Sequence, residues 1–209
     1  MDEGMTEMPP PTIIKSENVG WKGEEPTDVV KKALVEKVFK PGDIVLDIGC
    51  GFGRNAIGLA REGLIVTAIN INNQELVDAK AKAQSVGVNV DFQQADATAL
   101  PFAEASFDSA LDLGCSHMIP TKELQQKAAK EAARVIKSGG TLVYFGFSKD
   151  HPSFQNNPKP MYRNPEDIQA MYGNDFEIIS TEKVSWKPLP EEHANFTEHV
   201  GLNVVMRRK

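Results

Sequence analysis

The sequence predicts an α/β fold in which a mostly parallel, doubly wound sheet is covered by helices on both faces. Three observations carry this. Short apolar runs alternate with segments of helical period between residues 29 and 147. The first of those runs, Ile44-Val45-Leu46, is apolar at consecutive positions, as a strand buried on both faces requires. A cluster of glycines then separates that strand from the next helix, the junction expected in a strand–helix–strand unit.

Each element has a local reason. Val30, Leu34 and Val38 mark a helix over residues 27–38, with Thr27 or Asp28 to cap it and Pro41-Gly42 to end it. A strand over 43–48, a helix over 54–61, a strand over 64–71 and a helix over 73–86 follow in order. Residues 89–94 and 107–113 read as further strands, 121–137 as a helix and 140–147 as a fifth strand. The pattern then changes. Residues 148–164 form a polar loop rich in Pro and Asn, 165–172 a short helix, and 176–186 and 199–207 two strands with no long helix between them. Such a pair is antiparallel, giving a seven-stranded sheet whose last strand is reversed.

Composition narrows the function classes. With 209 residues, 41% apolar and 25% charged, the chain can bury one sizeable core. A net charge of −6 opposes attraction to a phosphate backbone, so no nucleic-acid partner is expected. Residues 1–28 hold seven acids and two bases, so most of the excess sits there, together with three prolines in a row and one aromatic, Trp21. They read as an acidic flexible arm or lid, with the domain proper over 29–209. Two distant cysteines, Cys50 and Cys115, and the absence of a leader or an apolar run long enough for a bilayer predict a cytoplasmic protein with no membrane partner.

The chemistry is concentrated in Asp47-Ile48-Gly49-Cys50-Gly51-Phe52-Gly53. Glycine permits close backbone approach to a ligand, and the helix start offers free amides. Pyrophosphate-binding loops use G-x-G-x-x-G, whereas this loop is G-x-G-x-G preceded by an acid. That acid would repel a pyrophosphate and attract an amino group.

On these residues the chain resembles the class I S-adenosylmethionine-dependent methyltransferases, over roughly residues 29–147. The resemblance implies a Rossmann-like, three-layer αβα fold and S-adenosylmethionine as cofactor, leaving as S-adenosylhomocysteine, with no metal. It implies that Asp47, Gly49, Cys50, Gly51 and Gly53 hold the methionine part and adjoining ribose. It places Asn70 and Ile71 at the ribose, where the family carries an acid. The amide would replace a charge-assisted bond by a neutral one, at a cost of roughly 1 kcal/mol in affinity. Asp96 and Ala97 would meet the adenine, and Leu113 would border the cofactor.

The stretch from Asp112 to Pro120 ends the fourth strand and would face the transferred methyl. It lacks the N/D-P-P-Y/F motif of enzymes that methylate amide or ring nitrogens. Together with the glycine loop and Trp21 it resembles the small-molecule branch that includes tellurite-resistance and thiol or thiopurine methyltransferases. The implied partner is a small acceptor, a thiol, chalcogen or similar soft nucleophile, bound by a monomer or homodimer; the alternatives are O- or C-methylation of a small metabolite, or a non-catalytic module that only binds S-adenosylmethionine. His117 would take a proton, since histidine titrates near neutrality, or would simply be satisfied by loop backbone. Asp112 would orient the acceptor or hold the loop. Arg54, Cys115, Met118 and Trp21 would line the acceptor pocket, with Phe147, Tyr144 and Met161 as further candidate walls. Cys115 also suits plain packing. His193 and His199 show no companion ligands at metal spacing.

Overall fold

The computed structural model describes residues 13–15, 23–156, 158–188, 192, 194 and 196–209. Trp21 and His193 lie outside these residues. The strands are β1 (Ile13–Lys15), β2 (Ile44–Ile48), β3 (Ile65–Asn70), β4 (Asp91–Gln94), β5 (Phe107–Leu113), β6 (Ile136–Phe147), β7 (Phe176–Trp186) and β8 (His199–Arg208). The helices are α1 (Asp28–Val35), α2 (Arg54–Arg61), α3 (Asn73–Ser85), α4 (Lys122–Val135), α5 (Pro152–Asn156) and α6 (Pro165–Tyr172).

Among the described residues one sheet runs in the order β1-β7-β8-β6-β5-β2-β3-β4. Only β8 is reversed, pairing antiparallel with both β6 and β7. Seven of these strands are those expected from sequence. The eighth, β1, comes from the acidic segment and adds to the outer edge in register Ile13 to Lys183.

Two cores give the three layers. On one face Val30 of α1, Ile57 and Leu59 of α2 and Leu76 of α3 pack with Val66, Val143 and Phe145. On the other, Ala129 and Ala132 of α4 and Ile168 and Tyr172 of α6 pack with Leu46, Leu142, Tyr144 and Met206. Strand β6 thus sends Val143 and Phe145 to one side and Leu142 and Tyr144 to the other, the period-two division of a strand buried on both faces.

Boundaries moved where backbone geometry intervened. α1 stops at Val35 because Lys37 turns left-handed at φ 57°, short of the expected Val38. β6 begins at Ile136, with a register shift between Phe107 and Ser109 on its partner β5. The polar loop after β6 contains α5 and is fastened by buried Arg163, whose guanidinium donates to Tyr144 Oη at 3.0 Å and Gln125 Oε1 at 3.0 Å.

Strand β2 pairs in parallel with β3 on one side and β5 on the other. The chain progresses outward in opposite directions from this point, and the carboxyl ends of β2 and β5 border the crevice where such sheets bind ligands.

Candidate active site

The glycine turn sits at that crevice. Gly49 and Cys50 both donate backbone amides to Ile69 O at 2.9 Å, tying the turn to β3 before α2 starts at Arg54. Gly49 has φ 74°, and a Cβ there would come within 2.5 Å of the Cys115 Cβ and Sγ. Cys115 therefore packs against the turn, and burial pushes its thiol well above the ordinary range. The same holds for Cys50.

A cavity of about 650 Å³ opens from this turn. One end is bordered by Asp47, Gly49, Cys50, Gly51 and Glu75, and the other by Phe147, Trp186, Glu192, Phe196 and His199. Leu113, Gly114, His117 and Met118, from the end of β5 and the 3-10 turn Ser116–Met118, stand between them. Phe52 and Met118 are exposed apolar side chains on the rim.

Asp47 is the group least satisfied by the protein itself. It is 2% exposed, and its Oδ2 has no hydrogen-bond partner among the described residues. Burial pushes its carboxyl up to about 7, Asp112 adds like-charge repulsion, and the Ala56 amide opposes both. A buried, half-satisfied carboxylate facing a cavity fits a ligand that brings a cation or a donor. The glycine turn beside it leaves backbone exposed for close approach.

Asn70 does not stand alone at the end of β3. Its Nδ2 donates to Glu75 Oε2 at 2.6 Å, and its Oδ1 accepts from the Ile71 amide at 3.0 Å. Glu75 lines the cavity, so a carboxylate from the first turn of α3 stands beside the end of β3. The sequence contains the signal, Asn72-x-x-Glu75, but this is also a capping pattern, and Asn72 does cap α3 through its Oδ1.

Other expected residues have structural partners. Asp112 is 3% exposed, accepts the Ser116 amide at 2.9 Å and is pushed up by burial; it shapes the 3-10 turn and is not part of the cavity lining. Asp96 is exposed and accepts the Thr98 amide at 2.8 Å. It lies outside that lining, as do Gly53, Ile71, Ala97 and Cys115. Arg54 is 5% exposed and donates through Nε to Glu25 O at 2.7 Å, anchoring the segment before α1, although it also borders the cavity. Tyr144 is fully buried in the core on the α6 side, away from the cavity that Phe147 lines, and Met161 does not border that cavity.

His117 borders the cavity at 4% exposure. Burial, helped by the Arg163 charge, pulls its pKa down to about 4, so the ring is neutral at physiological pH. Its Nδ1 has no hydrogen-bond partner among the described residues and faces Gly146, where a built Cβ would lie 3.2 Å away.

A family profile described as a methyltransferase domain matches residues 46–144, which include the glycine turn, β3, β5 and most of β6. Over this segment the chain is similar to a methyltransferase domain, in keeping with its resemblance to the class I S-adenosylmethionine-dependent enzymes. The 27-O-demethylrifamycin SV methyltransferase of Amycolatopsis mediterranei (strain S699) is 37% identical over 111 residues, 52% of this chain and 40% of that protein. Methyltransferase GfsG of Streptomyces halstedii is 32% identical over 134 residues, 59% of this chain and 47% of that protein. The chain spans less than half the length of these curated relatives. A solved SAM-dependent methyltransferase of Methanosarcina mazei superposes with a TM-score of 0.70 at 23% identity, covering 84% of this chain and 96% of that one. The methyltransferase fold is thus shared well beyond the matched segment. No helix of the described residues is long and apolar enough to cross a membrane, and among them no group of three His, Cys, Asp or Glu side chains is arranged to hold a metal ion.

Proposed function

We propose that this domain moves a methyl group from S-adenosylmethionine to a small-molecule acceptor bound at the aromatic end of the cavity. The observation that carries this is the unpartnered Oδ2 of buried Asp47 beside the glycine turn, a ready receiver for the cofactor's ammonium group. The carboxylates of Asp47 and Glu75 beside the glycine turn suit a ligand that also carries a sulfonium charge. When bound, S-adenosylmethionine supplies an electrophilic methyl carbon. In this reading the turn at Gly49 and Gly51 holds the methionine part, Glu75 held by Asn70 receives the ribose hydroxyls, and Asp96 and Ala97 border the adenine.

Methyl transfer is an in-line displacement, so the chain mainly aligns the acceptor and excludes water. His117, Leu113 and Met118 would form the wall beside the transferred methyl, with Asp112 shaping their turn. The leading acceptor is a thiol, a chalcogen or a similar soft nucleophile, supported by the resemblance of the Asp112–Pro120 stretch to small-molecule enzymes of that kind. The second reading is an oxygen acceptor, favoured by the Amycolatopsis relative, whose name specifies an O-demethyl substrate. We take the protein to act in the cytoplasm as a monomer or homodimer.

Incubation with methyl-labelled S-adenosylmethionine and a panel of thiols, selenite, tellurite, phenols, carboxylates and amines tests the proposal. Label in a small acceptor supports it, and the acceptor atom decides between the two readings. Cofactor binding without transfer to any acceptor would make the domain a binding module instead.

A further inference from the structure

At the aromatic end of the cavity three titratable side chains are joined in series. His199 Nε2 lies 2.6 Å from Glu192 Oε2, and His199 Nδ1 lies 2.9 Å from His151 Nε2. The Ser153 amide donates to His151 Nδ1 at 3.0 Å. His151 and His199 are 3% and 7% exposed. Trp186 stacks on His199 at 4.8 Å and 15°, and Phe196 meets both histidines edge-on at 4.9 Å.

The proton positions follow from the one donor whose role cannot change. A backbone amide only donates, so His151 Nδ1 is an acceptor. Burial, then the neighbouring His199, pull the His151 pKa down to about 4, so the ring is neutral and carries its single proton on Nε2. That proton points to His199 Nδ1, which must accept. The His199 proton therefore sits on Nε2 and points to Glu192. Both lone pairs of the two rings are occupied, so of these three side chains Glu192 is the one that brings basic atoms to the cavity, at the end opposite Asp47 and Glu75.

Resting on the methyltransferase reading, we propose that Glu192 is the proton acceptor of the reaction, that His199 and His151 are positioning residues which hold its carboxylate, and that the acceptor enters protonated. The acceptor X–H bond breaks and its proton passes to Glu192. The electron pair left on X forms the new X–CH3 bond, while the S–CH3 bond breaks and leaves its pair on sulfur. His117 is a poorer candidate because its unpartnered Nδ1 faces Gly146 on β6. His151 and His199, 48 residues apart, meet because β8 returns alongside β6, and Glu192 joins them from the segment just before β8.

A same-shaped pair of probes separates proton removal from binding: 2-naphthol, protonated at pH 8, and 2-naphthalenethiol, ionised there. Glu192→Gln is expected to lose about 100-fold in kcat on the naphthol and less than threefold on the thiolate, with S-adenosylhomocysteine affinity unchanged. Glu192→Asp should recover part of the naphthol rate. His199→Phe, which keeps the stacking and removes the hydrogen bond, should fall between wild type and Glu192→Gln on the naphthol alone. Equal losses on both probes, or none on either, would overturn the assignment. Nitrogen-15 NMR of the histidine rings, recorded without any acceptor, gives an independent reading: Nε2–H on both rings supports the series, and Nδ1–H on His199 overturns it. If both rings show Nε2–H and the wild type methylates no acceptor at all, the methyltransferase reading is what fails.

Discussion

Asn70 Nδ2 donates to Glu75 Oε2 across 2.6 Å, binding the last residue of β3 to the first turn of α3. The amide therefore holds a carboxylate against the cavity instead of replacing one. Glu75→Gln is expected to weaken S-adenosylhomocysteine binding about tenfold by calorimetry, the scale of one lost charge-assisted bond. Asn70→Asp alone should also weaken it, because two carboxylates would then face each other and one would protonate. The exchange Asn70→Asp with Glu75→Gln restores one acid and one amide and should recover most of the affinity. An unchanged dissociation constant in Glu75→Gln would remove this pair from the ribose site.

Asp47 links pH to stability and to cofactor affinity with opposite signs. Its folded pKa, pushed up to about 7 mainly by burial, lies above the ordinary carboxylate value. Its stabilising contribution is thus complete below about pH 4 and is lost as pH rises through about 7, an effect on the order of 4 kcal/mol in the ligand-free protein. The ionised form, however, is the one that receives an ammonium. S-adenosylhomocysteine should bind more tightly at pH 8 than at pH 6, and Asp47→Asn should raise the ligand-free Tm at pH 8 while removing most of the binding. A dissociation constant that does not change between these pH values would contradict the role.

Gly49→Ala should cost about 1–3 kcal/mol of stability and abolish cofactor binding, since the new Cβ meets both side-chain atoms of Cys115 at 2.5 Å. Gly63 is the control: it has φ 83° but no atom within 4 Å of a built Cβ. Gly63→Ala should cost only about 1–2 kcal/mol, from its left-handed backbone, and leave binding intact. Denaturant unfolding and calorimetry on the two variants check this.

Arg54 secures the segment ahead of α1, with Asn55 Oδ1 accepting the Thr27 amide at 2.9 Å beside it. Arg54→Met should lower stability by about 1–3 kcal/mol and speed proteolysis between residues 23 and 27. A rise in acceptor KM with unchanged stability and protease resistance would instead assign Arg54 to the acceptor.

What the sequence displayed plainly was local. The glycine turn, α2 over Arg54–Arg61 and β5 over Phe107–Leu113 have the expected bounds because turn chemistry and apolar runs determine them nearest to home. The aromatic end of the cavity was only partly legible. Phe147 was visible as a candidate wall, but Trp186, Glu192 and His199 reach it from strands and a loop that only the antiparallel return of β8 brings together. Glu75 was hidden differently, since an acid three residues after a helix cap looks like any capping partner. Arg163 was hidden inside a loop whose polar composition gave no hint of a buried guanidinium.

The most direct measurement is a crystal structure of the full chain with S-adenosylhomocysteine. The amino group should lie within hydrogen-bond distance of Asp47 Oδ2, the ribose hydroxyls at Glu75, and the sulfur should face the end of the cavity bordered by Phe147, Trp186 and Glu192. Ligand density elsewhere, or with its ribose away from Glu75 and its amino group away from Asp47, would contradict the assignment of this cavity.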